Sequence, residues 1–328
     1  MASRRALLLG ALAAPGLARA QSPAQSPAQS PWPHGPIRFV VAFPPGGPTD
    51  ILGRIVAQAI AQQQGWTVVV ENRGGASGLV GMGEVQRAAP DGLTVLVNAS
   101  AHSILPSTHR AQIPYDVATA FLPVTLLGRT PLLLSVTPGL PVRDVAGLLA
   151  HARANPGRLN YAAGSPGGGP HIWAAQFRLV TGISMQFVPY RGSGPALADL
   201  AAGNVQVGFD SMTSAAPLAR EGRIRAIAVT SPARSPAFPD VPAVAETVPG
   251  YAGDTWVAAF LPARTPAAVA ERLHAAIAQA LAAPETRARI LASGTEPGGM
   301  PQAAFAAFLA EEMAVAARVV REANIRVE

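Results

Sequence analysis

The stretch that decides the fold is "IRFVVAFPPGGPTDILGRIVAQAIAQ", residues 37–62. An apolar run, a loop of paired prolines and glycines, and an amphipathic run follow one another, which predicts a buried strand, a tight turn and a helix. "WTVVVEN" and "LTVLVNAS" predict two further strands, each preceded by a helical segment. This βαβαβ order predicts a parallel sheet with helices packed on its faces.

A second alternating unit follows. Strands are predicted at "RLNYAAG", "SMQFVPY", "VQVGFDS" and "IRAIAVT", and helices over residues 141–154 and over His171 to Thr181. "TWVAAFLPA" then predicts a strand that returns to the first sheet, and Thr265 and Pro266 predict a capped helix start. We expect an α/β chain of two domains, each a mostly parallel sheet flanked by helices, with a cleft between them. Residues 37–128 and 254–328 are expected to form domain 1, and residues 129–253 domain 2.

The composition is that of a globular chain and excludes some classes of site. Of the 328 residues, 49% are hydrophobic and 13% charged, which does not resemble a disordered chain. There is no cysteine, so neither a disulfide framework nor a thiolate metal site is possible. Every one of the 25 basic residues is an arginine.

The N-terminus predicts export. "MASRRALLLGALAAPGLARA" has a basic start, a short apolar segment and an A-x-A site, which indicates a signal peptide over residues 1–20, using the Sec or the twin-arginine route. Cleavage after Ala20 lowers the formal charge from +6 to +3, which is weak support for a nucleic-acid or membrane partner. Residues 21–36 predict a flexible Pro/Ser-rich leader, and we expect a periplasmic monomer.

The glycine-rich turn "FPPGGPTD", residues 43–50, is a candidate anion-binding site. A P-loop requires a lysine that this chain lacks, and the adjacent glycines do not match the dinucleotide fingerprint, so no nucleotide cofactor is expected. The first N–H groups of a helix nevertheless favour a negative group. Gly47 is predicted as the helix cap with Pro48 at the first helical position. Asp50 could cap the helix or face a ligand, and the sequence leaves both open.

"LNYAAGSPGGGPHIWAAQF" repeats the construction in the second unit, with Ser165 and His171 at the helix entrance. Two such entrances facing one cleft could hold a small carboxylate by charge-assisted hydrogen bonds. The loops that carry Ser77 and Ser100 lie at the same predicted sheet edge. His102 could donate to a carboxylate, and no histidine spacing predicts a metal site. Arg191 could be a clamp, although a solvated arginine is more common.

An enzyme is the alternative. Ala163–Gly167 imitates the nucleophile elbow of a serine hydrolase, with Ser165 as the nucleophile and with Asp254 and His274 following in hydrolase order. In such an elbow the residue after the nucleophile donates its backbone N–H to the oxyanion hole. Here that residue is Pro166, which has no N–H. We therefore expect no catalytic residue.

Six stretches in register resemble the Bug-type periplasmic receptors, the substrate-binding proteins of tripartite tricarboxylate transporters. They are "FPPGGPTD", "VENRGGASGLVG", "AAGSPGGGPH", "FVPYRGSGPALADLAAGNVQVGFD", "IRAIAVTSPARSPAFPDVPAVAE" and "TWVAAFLPARTP". The resemblance implies a type II periplasmic-binding-protein-like fold that closes on a small carboxylate, with membrane components of the transporter as possible partners. It places Gly46, Gly47, Thr49 and Asp50 on one wall of the cleft and Ser165 and His171 on the other, with Asp210 near the cleft and His102 kept. Together with Phe43, Ser77 and Ser100, these residues form the predicted ligand-binding set.

Overall fold

A computed structural model describes residues 32–163, 166–190, 192–236 and 238–325. The predicted signal peptide and most of the leader lie outside these residues, as do Ser165 and Arg191. The strands are β1 Ile37–Val41, β2 Val68–Asn72, β3 Thr94–Ala99, β4 Phe121–Thr130, β5 Leu132–Val136, β6 Leu159–Ala163, β7 Met185–Pro189, β8 Val207–Ser211, β9 Arg225–Val229, β10 Thr255–Pro262 and β11 Glu296–Pro297.

Helices lie between most of the strands. They are α1 Pro48–Gln64, α2 Leu79–Gln86, α3 Ala101–Thr108, α4 Val117–Ala120, α5 Val145–Ala154, α6 Gly169–Thr181, α7 Ser193–Ala202, α8 Met212–Arg220, α9 Ala267–Ala282, α10 Pro284–Ala292 and α11 Gln302–Glu322. Within the described residues, no helix is both long enough and apolar enough to span a bilayer.

The strands form two sheets, which confirms the predicted two-domain α/β fold. One sheet has the order β11-β4-β10-β3-β1-β2 and the other β7-β6-β8-β5-β9. β1 pairs in parallel with β2 and β3, and β6 pairs in parallel with β7 and β8, as the βαβ pattern requires. The antiparallel members are β10 and β11 in the first sheet and β5 in the second. Both β10 and β5 begin just after the chain changes sheet.

The last helix joins the two cores. Phe305 and Leu309, in the first half of α11, pack into the core of the first sheet, while Ala316 and Val319 pack into that of the second. Trp173 on α6 adds a hydrogen bond from its indole N–H to the carbonyl of Asp254, at 2.8 Å, where the chain returns to the first sheet. Both α11 and the contact of Trp173 with Asp254 therefore connect the two sheets.

Four local predictions require correction. Residues 141–154 were expected to be helical throughout, but α5 begins at Val145, because the side chain of Asp144 caps it by accepting from the N–H of Gly147 at 2.7 Å. Thr265 does not cap α9: Pro266 occupies that position, and the Thr265 hydroxyl donates to the carbonyl of Pro262 instead. The other two corrections are α3 and α8, which the sequence did not predict. Each contains a proline inside the helix, a residue that normally indicates its end.

Candidate functional site

A cavity of about 730 Å³ lies between the sheets, at the ends where the parallel strands finish. This is the edge at which open α/β sheets bind ligands. The first sheet contributes the loops after β1, β2 and β3, and the second contributes those after β6, β7 and β8. The cavity is lined by residues 43–49, 77, 99–101, 104, 105, 109, 130, 166–170, 192, 193, 211 and 255–257.

Six of the predicted site residues line this cavity, all from the first sheet's loops: Phe43, Gly46, Gly47, Thr49, Ser77 and Ser100. Asp50, His102, His171 and Asp210 lie behind the wall, each no more than 8% exposed. The prediction for Ser165 falls outside the described residues. Sequence reasoning missed several lining residues, among them Ser193, Ser211 and Trp256, although the sheet-edge rule pointed to the loops that carry the two serines.

The start of α1 matches its prediction. Gly47 is the N-cap with extended backbone, and Pro48 takes the first helical position. Gly46 has a φ of +82°, a left-handed conformation that favours glycine and brings the loop's backbone to the cavity. Pro48 has no N–H, and the N–H of Ile51 donates to the carbonyl of Gly47. The N–H groups of Thr49 and Asp50 have no partner within the helix, so they are available to an anion.

Asp50 organises this loop. Its carboxylate accepts hydrogen bonds from the N–H of Gly46 at 2.9 Å, from Nε of Arg54 at 2.9 Å and from Nδ2 of Asn72 at 2.8 Å. The same Asn72 nitrogen also donates to the carbonyl of Phe43, which fastens the loop to the end of β2. Burial opposes the charge, but the three hydrogen bonds outweigh it and lower the pKa of Asp50. Asp50 is thus ionised, paired and turned away from the cavity.

The start of α6 forms the opposite wall. Gly168 is the N-cap, and Pro170 lies in the first turn, which contains no acidic residue. A Cβ on Gly169 would lie 3.0 Å from Cγ2 of Thr255 and 3.2 Å from Oγ of Ser100, so a glycine is needed where the walls approach one another. No acidic side chain in this described first turn compensates the helix dipole at the start of α6.

His171 supports the α6 loop from behind. Its Nδ1 accepts a hydrogen bond from the N–H of Gly167 at 3.0 Å, and its ring stacks on Phe187 with the centroids 3.8 Å apart. Burial, and secondarily the charge of Arg178, lowers the pKa of His171 to about 4, so the ring is neutral at physiological pH. A neutral Nδ1 acceptor fixes the loop without adding charge to the cavity.

His102 belongs to the core of the first sheet. Its ring is fully buried and stacks on Phe260 with the centroids 4.1 Å apart, and its Nδ1 lies 3.3 Å from Nδ2 of Asn98. Burial lowers its pKa to about 3. In this arrangement His102 can affect the ligand only through the position of α3.

Asp210 lies behind the second sheet's wall. Its Oδ1 accepts a hydrogen bond of 2.6 Å from the hydroxyl of Ser193, the first residue of α7, and Ser193 lines the cavity. Burial raises the pKa of Asp210 to about 6, against the opposing effect of hydrogen bonds from Ser193 and from the backbone of Ser211. The group is mostly ionised at neutral pH.

The lining is mainly uncharged and apolar. His109 is the single titratable side chain among the described residues that line the cavity. Ile104, Leu105 and Val257 contribute an apolar surface, each less than 5% exposed. The structure also shows no cluster of three metal-ligating side chains within its described residues. The cavity can accept an anion at backbone N–H groups while burying an apolar body.

The two residues that could complete a hydrolase triad have other partners. Nε2 of His274 lies 3.0 Å from the carbonyl oxygen of Met300, and the carboxylate of Asp254 lies 4.0 Å from Arg129. Neither residue lines the cavity. The geometry therefore gives the hydrolase alternative no support from Asp254 and His274.

Comparison with known proteins gives matches over most of the chain. The family described as "Tripartite tricarboxylate transporter family receptor" matches residues 52–325. Protein BugT of Bordetella pertussis is 34% identical over 304 residues, which cover 90% of this chain and 92% of that protein.

Two solved structures from Rhodopseudomonas palustris show the same fold. One, described as "R. palustris Rpa4515 with adipate", has a TM-score of 0.76 and 34% identity, covering 90% of this chain and 99% of its own. The other, "MatC (Rpa3494) from Rhodopseudomonas palustris with bound malate", has a TM-score of 0.71 and 29% identity, covering 88% and 100%. Both structures are described with a small carboxylate, adipate in one and malate in the other.

Proposed function

The chain belongs to the receptor family of tripartite tricarboxylate transporters, and from that premise we propose that it is an exported solute receptor for a small carboxylate. The ligand binds in the cavity between the two sheets, and the loaded receptor delivers it to membrane components of such a transporter or to a sensor. The receptor acts in the periplasm as a monomer, after cleavage behind Ala20. It performs no chemistry on its ligand and needs no cofactor.

One observation carries the proposal: α6 begins at the cavity without any acidic residue in its first turn, opposite the glycine-rich start of α1. At α1 the charge of Asp50 is matched by Arg54, 2.9 Å away. Backbone N–H groups from both starts can therefore converge on one anion, and a carboxylate has the two acceptor oxygens for this. The adipate and malate bound by the two relatives are of this chemical class.

The six predicted residues that line the first wall are proposed to form the ligand surface directly. Asp50, His171 and Asp210 hold the loops that present it, and Ser165 is proposed for the second wall. We propose the domain bounds predicted from the sequence, residues 37–128 with 254–328 and residues 129–253, as the bodies that close on the ligand. Closure would bend the chain where it crosses between sheets, near Thr130 and Thr255.

A thermal-shift screen of the purified mature chain tests this function. Each carboxylic acid in the library is paired with its primary amide, which has nearly the same shape and no charge. We expect at least one acid to raise the Tm by several degrees while its amide does not, because ligand binding to the native state alone is stabilising. If amides raise the Tm as much as their acids, or if only cations do, the carboxylate proposal is wrong.

A further inference from the structure

Among the described residues, five helices begin at the cavity, namely α1, α3, α6, α7 and α8. Three of them, α1, α6 and α7, differ in the charge that lies at their start. At α1, Asp50 is paired with Arg54. At α6 no acidic residue is present in the first turn. At α7 the carboxylate of Asp210 lies 2.6 Å from the hydroxyl of Ser193, and no described cation forms an ion pair with it. The carboxylate of Asp210 thus lies against the side chain of the first residue of α7.

The Ser193–Asp210 contact fixes the direction of the Ser193 hydroxyl. A serine hydroxyl has one hydrogen to donate and two lone pairs that accept. Because that hydrogen is donated to the Asp210 carboxylate, the oxygen can only accept from the cavity. A charge-assisted hydrogen bond of this length is strong enough to keep that direction.

The buried charge of Asp210 makes a hydrogen-bond donor on the ligand more favourable at Ser193. The residue is 2% exposed, and its second oxygen, Oδ2, has no hydrogen-bond partner among the described residues. Ser211, the next residue, lines the cavity, and its buried hydroxyl is also without a described partner. The buried carboxylate of Asp210 is little screened by water, so it favours a hydrogen-bond donor on the ligand beside Ser193.

We propose that Ser193, held by Asp210, forms a donor-selecting subsite, so that the ligand is a carboxylic acid that also carries a hydroxyl or an amino group. This inference rests on the proposed function and names the ligand class of that same cavity. The carboxylate binds at the α1 and α6 starts, and the donor of the ligand points to Ser193.

The same geometry disfavours a second carboxylate at this place. A carboxylate facing Ser193 would find a lone pair instead of a donor, and the charge of Asp210 would repel it. The part of the wall formed by Ile104, Leu105 and Val257 offers van der Waals contact to an apolar body. We therefore expect a ligand with one carboxylate, one donor and an apolar remainder.

Isothermal titration calorimetry at pH 7.5 with matched pairs of acids tests the subsite. The pairs are lactate and propionate, mandelate and phenylacetate, alanine and propionate, and succinate and butyrate. We expect the hydroxy or the amino member of at least one pair to bind about tenfold tighter than its partner, the value of one net hydrogen bond. Comparison of lactate with alanine separates a hydroxyl from an ammonium donor. Succinate should not bind more tightly than butyrate.

Variants then assign the preference to Ser193. Ser193→Ala should reduce the ratio within the responding pair to about twofold or less, and Ser193→Thr, which keeps a hydroxyl, should restore it. The control is Ser293→Ala, because Ser293 donates to the carbonyl of Ile290 and does not line the cavity; it should keep the full ratio. The apo Tm of each variant verifies that it folds.

The possible failures are distinguishable. Acids that bind with no preference for the donor, a preference that survives Ser193→Ala, or succinate that binds tenfold tighter than butyrate would each overturn the subsite and leave the receptor function intact. If none of the acids in the matched pairs or in the wider library binds, the proposed function fails and the subsite fails with it.

Discussion

Replacement of Asp50 by asparagine tests whether this carboxylate organises the loop or touches the ligand. The exchange keeps the shape of the side chain and removes its charge. In the structure the carboxylate accepts from Gly46, Arg54 and Asn72 and is 3% exposed. Asparagine keeps one acceptor oxygen, but its amide group is a donor that would face groups which themselves donate.

The three contacts set the size of the effect. Hydrogen bonds to a charged group contribute about 1.5–3 kcal/mol each when buried, whereas an ion pair with a partner as exposed as Arg54 contributes about 0–1 kcal/mol. The Arg54 side chain is 51% exposed, so most of the loss comes from Gly46 and Asn72. We expect Asp50→Asn to lower the free energy of unfolding by about 3 kcal/mol and the Tm by about 5–10 °C.

The pH dependence has a definite sign. The native contacts lower the pKa of Asp50, so its stabilisation is present above the carboxyl's ordinary pKa and is lost as the pH falls through the lower native value. The difference in stability between the wild-type chain and Asp50→Asn should therefore be largest near pH 7 and shrink on acidification. Urea denaturation at several pH values, without ligand, measures this.

The matched control is Asp144→Asn. Asp144 caps α5 from an exposed position far from the cavity, so its loss should cost about 1 kcal/mol or less and leave ligand binding unchanged. Our reasoning is refuted if Asp50→Asn leaves the unliganded protein as stable as the wild type but abolishes binding. That outcome would mean that Asp50 contacts the ligand.

Three further predictions follow from other parts of the structure. Gly169→Ala should weaken carboxylate binding about tenfold in calorimetry, because the new Cβ would lie 3.0 Å from Thr255. The control is Gly139→Ala, whose new Cβ would have nothing within 4 Å. Equal affinities of the two variants for the carboxylate would contradict this prediction. Burial raises the pKa of Glu312 to about 7, so the ionised form of this side chain destabilises the fold. Glu312→Gln should therefore raise the free energy of unfolding by at most about 3 kcal/mol at pH 8, and this gain should vanish towards pH 5. Burial lowers the pKa of His102 to about 3, so this residue alone should lower the free energy of unfolding by about 3 kcal/mol between pH 6.5 and pH 4. The wild type should therefore lose about that much more than His102→Phe over this range, and equal losses in urea denaturation would be the contrary result.

The fold and the two walls of the cavity were accessible from the sequence because local chemistry specifies them. Gly47 followed by Pro48 predicts the start of α1, and Gly182 predicts the end of α6, where it adopts a left-handed conformation. Alternating apolar runs and turns specify the strand order along the chain. These features depend on neighbouring residues only, so a single sequence contains them.

The orientations of polar side chains were not accessible, because they depend on partners distant in sequence. The orientation of the Asp50 carboxylate depends on Asn72, and the direction of the Ser193 hydroxyl depends on Asp210. Both pairs form only when different strand-end loops meet at the same sheet edge. α3 escaped prediction for a related reason: Pro106 argues locally for a break, while packing against α11 keeps the segment helical.

A crystal structure of the mature protein with its tightest-binding acid tests the central claim most directly. We predict the carboxylate within hydrogen-bond distance, directly or through one water, of backbone N–H groups at the starts of both α1 and α6. A ligand bound elsewhere on the chain, or one whose carboxylate points away from both helix starts, would contradict the account.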